Sequence, residues 1–278
     1  MARDKPVGEF SMQKVAIITG GSSGIGKSLV LRYAQEGYAV VFTGRDSSRM
    51  RSTEEELQKG GHNFLSLVLD ASSEEDNQKL IENAISKFGR IDVLVCNAGI
   101  SMRALFEDLD IDVFKQLMDI NFYGSIYVVK AALPHLLESR GSIIGISSIN
   151  GRRSTPARSA YTSSKFAMEG FLETLRMEVM TRGVHVLVVR PGFTSSNIRN
   201  AALTANGKSQ GESPRDEKEM MSSEEVALRT FKAEQKRKRD LVLTRDGKLA
   251  LFFNKIVPGW VDKKIYDRMK KEADSPLK

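Results

Sequence analysis

The stretch from Val15 to Gly37, VAIITGGSSGIGKSLVLRYAQEG, constrains the fold more than any other. Val15–Thr19 is a near-continuous apolar run, the pattern of a strand buried on both faces of a parallel sheet. It enters Gly20, Gly21, Ser22, Ser23, Gly24, Ile25 and Gly26 without a break, and Leu29, Val30, Tyr33 and Ala34 then recur at helical spacing until Gly37. A strand, a glycine-rich turn and a helix in that order present backbone N–H groups and a helix N-terminus to an anion such as a phosphate. The glycine spacing is G-x-x-x-G-x-G rather than the commoner G-x-G-x-x-G.

The same alternation continues along the chain. Ala39–Thr43, Phe64–Leu69, Asp92–Cys96, Gly141–Ser147 and Val184–Val189 read as further strands. Helical patterns fall at Asn77–Phe88, Phe114–Leu137, Ala160–Arg182 and Val226–Lys236. Alternating strands and helices with short connections predict an α/β fold, a doubly wound parallel sheet in a single domain with a C-terminal helical extension. In such sheets ligands bind beyond the carboxyl ends of the strands. The glycine turn, Arg45, Asp70, Asn97, Ser148 and Pro191–Gly192 all follow strands, so they are expected to gather at one edge. Residues 1–11 read as an expression-tag remnant ahead of a start at Met12, with the main domain over 12–245 and an amphipathic extension over 246–278.

Composition narrows the class. With 41% apolar and 28% charged residues the 278-residue chain is that of a folded globular protein. No run of about 18 apolar residues is present to span a bilayer, and the N-terminus lacks the apolar core of a secretory signal. One cysteine, Cys96, excludes a disulfide framework and fits a reducing cytoplasm, as an inert thiol in a strand. His62, His135 and His185 have no ligand spacing, so no metal site is expected. The net charge of +7 is uneven, because Lys208–Lys278 carries 18 basic and 13 acidic residues. Its densest run, Lys236–Arg239, reads as a solvated face, and nucleic acid is not an expected partner.

Two local readings bear on chemistry. After the second strand a dinucleotide fold carries an acid for a ribose 2′-hydroxyl or an arginine for a 2′-phosphate. Here the residues are Thr43, Gly44 and Arg45, which favours NADP(H) over NAD(H), with Asp46 one position past the usual acid. Further on, Tyr161 and Lys165 are four residues apart, on one helix face and one turn apart. A fixed positive charge beside a phenol is expected to draw its pKa below the free value of about 10. Ser148 lies thirteen residues before that tyrosine.

Assembled, these residues resemble the short-chain dehydrogenase/reductase family over roughly Lys14 to Arg199. The resemblance rests on Thr19–Gly26, Asn97-Ala98-Gly99, Asn121, the Ser148, Tyr161, Lys165 spacing and Pro191-Gly192. Within the family the chain is most similar to reductases of 3-ketosphinganine and 11β-hydroxysteroid type, through TGGSSGIGK, Phe106–Asp110 and Asn121-Phe-Tyr-Gly-Ser. The resemblance implies a hydride transfer between nicotinamide and a small-molecule ketone or secondary alcohol. Its implied catalytic set is Asn121, Ser148, Tyr161 and Lys165, with Tyr161 as general acid/base and Asn121 holding a water. Its implied cofactor set is Gly20, Ser22, Ser23, Gly24, Ile25, Gly26, Arg45, Asp70, Ala71, Asn97, Ala98, Gly99, Tyr161, Lys165, Pro191, Gly192 and Thr194. One departure is that Ser196 stands where relatives carry a threonine, with Thr194 and Ser195 nearby.

The remaining stretches set specificity. The polar segment over 198–222 is expected to close over substrate as a mobile lid. Met102, Arg103 and Phe193 suggest a partly apolar pocket, while Arg152, Arg153 and Arg158 are available to an anionic tail. Leu249–Trp260 is the most apolar part of the C-terminal region. It predicts packing against the domain or a second subunit, or a peripheral contact with an anionic membrane through Lys255, Lys263, Lys264, Lys270 and Lys271. The resemblance also implies a homodimer or homotetramer through the helices at 114–137 and 160–182. A cofactor-binding regulator without catalysis would have no reason to keep Ser148, Tyr161 and Lys165 together.

Overall fold

β-Branched and aliphatic runs flanked by glycine and polar turns place seven strands side by side in the computed structural model, which describes residues 13–194, 198, 201–211, 220–272 and 275–277. The strands are β1 (Val15–Ile18), β2 (Ala39–Gly44), β3 (Phe64–Val68), β4 (Val93–Cys96), β5 (Ser142–Ile146), β6 (His185–Arg190) and β7 (Asp240–Val242). All pairings are parallel, in the order β3-β2-β1-β4-β5-β6-β7. The order reverses between β1 and β4, so a crevice opens there at the carboxyl ends of the strands.

Period-two alternation sends neighbouring side chains to opposite faces, which makes two cores. Val15, Ile17, Val41, Leu94 and Ile143 pack against α3 (Glu74–Phe88), α5 (Gly124–Ser139) and α6 (Ser159–Glu178). Ala16, Ile18, Val40, Phe42 and Val95 pack against α1 (Gly24–Gln35), α2 (Ser47–Lys59) and α7 (Ser223–Gln235). The result is the expected doubly wound fold.

Several elements depart from the sequence reading. β7 is a seventh strand of three residues, too short to show periodicity; its place beside β6 is fixed by Arg190, whose guanidinium bonds Asp240 at 2.8 Å. Helix α2 escapes a pattern search because only Met50, Thr53 and Leu57 are buried in an otherwise polar segment. The single helix expected over 114–137 is two, α4 (Ile111–Met118) and α5, joined by a π turn at Asp119–Tyr123 that contains Asn121. Helix α3 is capped by Ser73, whose hydroxyl accepts the N–H of Asp76 at 3.2 Å.

Residues 201–211 lie against the segment after β4. Leu203 bonds the backbone of Ser101 and Arg103 at 2.8 Å each, and Asp110 N–H donates to Ala205 O at 3.0 Å. Residues 1–12 and 212–219, including the presumed tag and part of the expected lid, lie outside the described residues. Met102 and Arg103 are buried, Met102 among Val113, Leu117 and Ala160, so neither borders an open pocket.

The C-terminal extension forms α8 (Arg245–Ile256) and α9 (Pro258–Lys270). Among the described residues it is fastened by few apolar side chains, chiefly Val261 and Met269, and by two ion pairs. Arg103 meets Glu272 at 2.7 Å with both side chains largely buried, and Arg153 meets Asp262. No helix among the described residues is long and apolar enough to cross a membrane. Removing one partner of a buried pair strands the other charge. Glu272→Ala is therefore expected to destabilise the protein by about 3 kcal/mol, measured by chemical denaturation, with α9 becoming the first site of limited proteolysis.

Candidate active site

The turn after β1 is built for close approach of backbone. Gly20 has φ +67°, and a Cβ there would lie 3.0 Å from Ala98 Cα. A Cβ on Gly26 would lie only 2.0 Å from Gly20 O, so the helix start and the turn can touch only because neither carries a side chain. Helix α1 begins at Ser23 without any side-chain cap and with no acid in its first turn. Its first N–H groups are thus left to a ligand, and the dipole favours an anion. Thr19 and Asn97 lock the turn to β4: Thr19 Oγ1 accepts N–H bonds from Asn97 and Ala98 at 3.0 Å, and Asn97 Nδ2 donates to Thr19 O and Gly20 O at 2.9 and 3.0 Å. Thr19, read in the sequence as the first residue of the glycine motif, gains this role as the tie between the turn and β4.

Arg45, exposed, follows β2 on the wall of the same cleft. Asp46 is engaged elsewhere. Its carboxylate caps α2, accepting from Ser48 N at 2.9 Å and Arg49 N at 3.2 Å, and pairs with the Arg49 side chain at 3.2 Å. The hydrogen bond from the Ser48 hydroxyl and those of the cap hold its pKa below the ordinary carboxylate value. Arg49, unremarked in the sequence because α2 was unread, also lines the cleft. After β3, burial pushes the Asp70 carboxyl up, but hydrogen bonds from Ser72 N and Oγ and the charge of Arg45 outweigh it and leave it lowered. Ala71 follows on the wall.

Ser148, just past the end of β5, and Tyr161, in the first turn of α6, border the same crevice, and the Ser148 side chain acts to lower the phenol's pKa. Ser148 Oγ also accepts the N–H of Asn150 at 3.1 Å, which fixes its rotamer. Lys165 is one turn along, 4% exposed, and its ammonium donates to Ile146 O at 2.9 Å. Its Nζ lies 6.0 Å from the Tyr161 ring centroid. The expected acidic phenol is not found. Burial raises Tyr161 above its ordinary value, against the Ser148 hydrogen bond and the charge of Arg158, whereas burial drives Lys165 down to about 8. Desolvation is the largest cause of both shifts. Cys96, nearby and fully enclosed, is pushed up to about 12 by burial and is an unreactive thiol.

Asn121 alone among the singled-out residues does not line the cleft, and is fully buried behind it. The π turn aims its amide at Ile100, accepting N–H at 2.8 Å and donating to O at 3.0 Å, while its second amide hydrogen goes to Ser164 Oγ at 2.9 Å. Both amide hydrogens are thus spent within the protein, and the side chain holds the Gly99–Ile100 backbone in place. π turns of this kind recur at functional sites.

Beneath the serine and lysine lies a charged cluster that sequence reading missed. Glu169, 2% exposed, accepts Ser147 Oγ at 2.6 Å, Arg190 Nε at 2.9 Å and Arg190 guanidinium at 2.8 Å, and pairs with Arg152 at 2.7 Å. The only signal was its i,i+4 relation to Lys165. Pro191 O accepts the N–H of Ile149 at 3.2 Å, and Gly192 is needed because a Cβ would strike Thr244 at 2.4 Å. Thr194 lines the cleft and is 5% exposed; Ser195 and Ser196 lie outside the described residues.

Gly20, Ser22–Gly26, Arg45, Asp70–Ala71, Asn97–Gly99, Ser148, Tyr161, Lys165, Pro191–Gly192 and Thr194 thus border one continuous crevice at the β1/β4 switch point. A glycine cradle, an uncapped helix start and a hydroxyl pair at the far end fit a dinucleotide, and together define a nucleotide-dependent oxidoreductase site. Comparison with known proteins agrees. A family described as short chain dehydrogenase matches residues 14–207. The chain is 32% identical over 267 residues to dehydrogenase/reductase SDR family member 7B of Mus musculus, covering 94% of this chain and 83% of that one. It is 38% identical over 187 residues to 11-beta-hydroxysteroid dehydrogenase 1A of Arabidopsis thaliana, covering 66% of this chain and 53% of the relative. An alcohol dehydrogenase of Thermococcus sibiricus, complexed with 5-hydroxy-NADP, superposes with TM-score 0.72 at 26% identity over 83% of this chain and 96% of that one. A short-chain enzyme of Burkholderia phymatum in complex with NAD, 21% identical, shares the fold with TM-score 0.79, over 91% and 96% of the two chains. The chain belongs to the short-chain dehydrogenase family, oxidoreductases acting on CH–OH groups with a nicotinamide cofactor.

The depressed Lys165 has a measurable consequence. Below about pH 8 the lysine is charged in both folded and unfolded chains, so the folded state bears the full burden of burying it. Between about 8 and the ordinary 10.5 the folded protein releases this proton first, and the penalty disappears as pH rises. Lys165→Met is expected to raise stability at pH 7 by up to about 3 kcal/mol, the gain fading from pH 8 to 10.5. Denaturation midpoints measured across that range check it.

Proposed function

We propose that the chain is an NADP(H)-dependent carbonyl reductase, reversible on the matching secondary alcohol, with a partly apolar, lipid- or steroid-like substrate. The observation that carries this reading is that Ser148, Tyr161 and Lys165 line the same crevice as the glycine turn, with Lys165 one helical turn from the tyrosine. A nicotinamide bound there supplies or accepts the hydride. The remaining work belongs to the chain. Ser148 donates to the carbonyl oxygen as negative charge grows on it. Tyr161 then gives its proton to that oxygen, and takes it back in the oxidative direction. A phenol raised by burial is protonated at neutral pH, the form that reduction requires. Lys165, charged below about pH 8, would stabilise the phenolate left by proton transfer and would bond the cofactor ribose. Asn121 acts by fixing Gly99–Ile100.

For the cofactor, Ser22–Gly26 and the α1 N-terminus would hold the pyrophosphate, Asp70 and Ala71 the adenine, and Asn97–Gly99 the adjoining ribose. Pro191, Gly192 and Thr194 would face the nicotinamide end. NADP(H) is favoured over NAD(H) because Arg45 and Arg49, on the crevice wall after β2, would be available to a 2′-phosphate and Asp46 is engaged in its helix cap. The alcohol dehydrogenase bound to an NADP derivative supports the same choice. Ile198 and Ala201 on the crevice wall, and the hydroxysteroid dehydrogenase relatives, support an apolar substrate under the 198–222 segment.

We assign 12–245 as the catalytic unit and 246–278 as an accessory extension. Exposed Tyr123, Phe166, Met177 and Met180 on or beside α5 and α6 support a homodimer or homotetramer. A cytoplasmic protein with peripheral membrane contact is a second reading, favoured by Leu249, Phe252, Ile256 and Trp260, all more than half exposed, beside the lysines of α9.

Two substitutions test the catalytic reading. Tyr161→Phe is expected to lower kcat by about 100-fold or more with NADPH affinity nearly unchanged; retained turnover would reject the acid–base role. Arg45→Asp is expected to raise the KM for NADPH by about tenfold or more and to spare NADH. An unaltered cofactor preference would remove Arg45 from the phosphate site.

A further inference from the structure

Ser148 Oγ accepts the N–H of Asn150, which lies in the short 3₁₀ turn Ile149–Gly151 that follows it. The direction in which this hydroxyl faces the crevice is therefore set by where that turn sits. One buried carboxylate meets the chain on both sides of the serine. Before it, Ser147 Oγ donates to Glu169 Oε1 at 2.6 Å. After it, a Cβ on Gly151 would lie 2.4 Å from the same oxygen, so the turn rests directly on the carboxylate. Arg152, the next residue, pairs with Glu169 Oε2 at 2.7 Å and reaches on to Glu173.

The backbone bond from this turn to the sheet leads back to the same group. Ile149 N–H donates to Pro191 O at 3.2 Å, and the neighbouring Arg190 holds Glu169 through Nε and Nη2 at 2.9 and 2.8 Å. Glu169 sits on α6, one turn beyond Lys165 and about two turns beyond Tyr161. It is 2% exposed and does not line the crevice, so any effect on the reaction passes through its partners. A carboxylate that served only to pack α6 on the sheet would be satisfied by Arg190, whose fork already spans both oxygens. The additional contacts, with Ser147 and Arg152, bracket one residue, Ser148.

We propose that Glu169 is the positioning residue for Ser148, fixing the serine hydroxyl relative to Tyr161 by holding Ser147 and Arg152 from the helix that carries the tyrosine. The proposal rests on the reading of Ser148 as the donor to the carbonyl oxygen. Such a donor acts only at hydrogen-bond distance from the atom on which charge develops. A misplacement of about 1 Å costs on the order of 100-fold in rate. Because the clamp and the tyrosine share α6, a small shift of that helix carries Ser148 along with Tyr161 rather than away from it.

Ser147→Ala and Arg152→Met cut the clamp yet leave the Glu169 charge, and its pairing with Arg190, beside Lys165. Ser147→Ala removes only a hydroxyl, and Arg152 is exposed, so the pair is compatible with folding. The two are combined in the full chain, with and without Ser148→Ala. NADPH oxidation is followed with whichever of α-tetralone, decalone and cyclododecanone the unaltered protein reduces fastest. NADPH affinity, read from nicotinamide fluorescence, and the thermal midpoint are measured for each variant. Ser148→Ala is expected to lower kcat by about 100-fold. The Ser147→Ala/Arg152→Met pair is expected to lower it by about tenfold with NADPH affinity within about twofold. Added to Ser148→Ala, the same pair is expected to cost less than about twofold more, since no hydroxyl is left to misplace. Glu169→Gln is expected to lose at least as much as the pair; if it fails to fold, the pair decides. Unchanged kcat in the pair, a loss confined to NADPH affinity, a smaller loss in folded Glu169→Gln, or a tenfold loss that persists without Ser148 would each overturn the proposal. Full kcat in Ser148→Ala, or no turnover of any of the ketones by the unaltered protein, would instead remove the reading of Ser148 beneath it, and the proposal with it.

Discussion

The site depends on a carboxylate that never meets the substrate. Glu169 is buried one turn beyond Lys165, and it gathers Ser147, Arg190 and Arg152 around its two oxygens. Ser147 ends β5, Arg190 ends β6, and Arg190 reaches on to Asp240 at the start of β7. Three neighbouring strands and the helix that carries Tyr161 are thereby set in one register. Burying such a cluster offers little net stability compared with apolar packing. Its value lies in geometry, since a slip of α6 along the sheet would leave charges unpaired. The same negative charge opposes the desolvation of Lys165, whose pKa would otherwise be driven lower still.

That arrangement alters the relation between tyrosine and lysine. Four-residue spacing brings the two within one turn, and in water the ammonium would make the phenol more acidic. Inside the protein each group first loses its hydration, and that loss moves the two pKa values past each other and apart, the phenol up and the lysine down to about 8. The phenol is held as a proton donor and the lysine is brought near the neutral range. Ser148 and Arg158 are the neighbours that lower the phenol's pKa against the rise caused by its burial.

Most of the sheet was legible in the sequence because its strands are apolar and buried on both sides. The glycine turn was equally legible, since Gly20 and Gly26 are demanded by backbone contact. What escaped had a common cause. β7 is held by a side-chain ion pair over three residues, α2 buries too few side chains to show a stripe, and Glu169 acts through partners far away in the chain. Met102 and Arg103 were misjudged because a short β-like contact with Leu203 and the pairing with Glu272 turn both inward. Asp46 looked like a competing ribose ligand until the unread helix behind it gave its carboxylate another task.

The π turn at Asp119–Tyr123 has one more consequence. Such a turn holds one residue more than an α-helical turn, so everything after it is rotated by roughly 100° relative to a straight α-helix. Deleting a single residue there would restore a continuous α-helical rod from Ile111 to Ser139, its backbone ladder interrupted only at Pro134. The healed helix would be locally more regular, yet its amide would swing off Ile100 and release the strand-end loop it now restrains. Regularity and competence are opposed at this one position, and the irregular form is the one built into the protein.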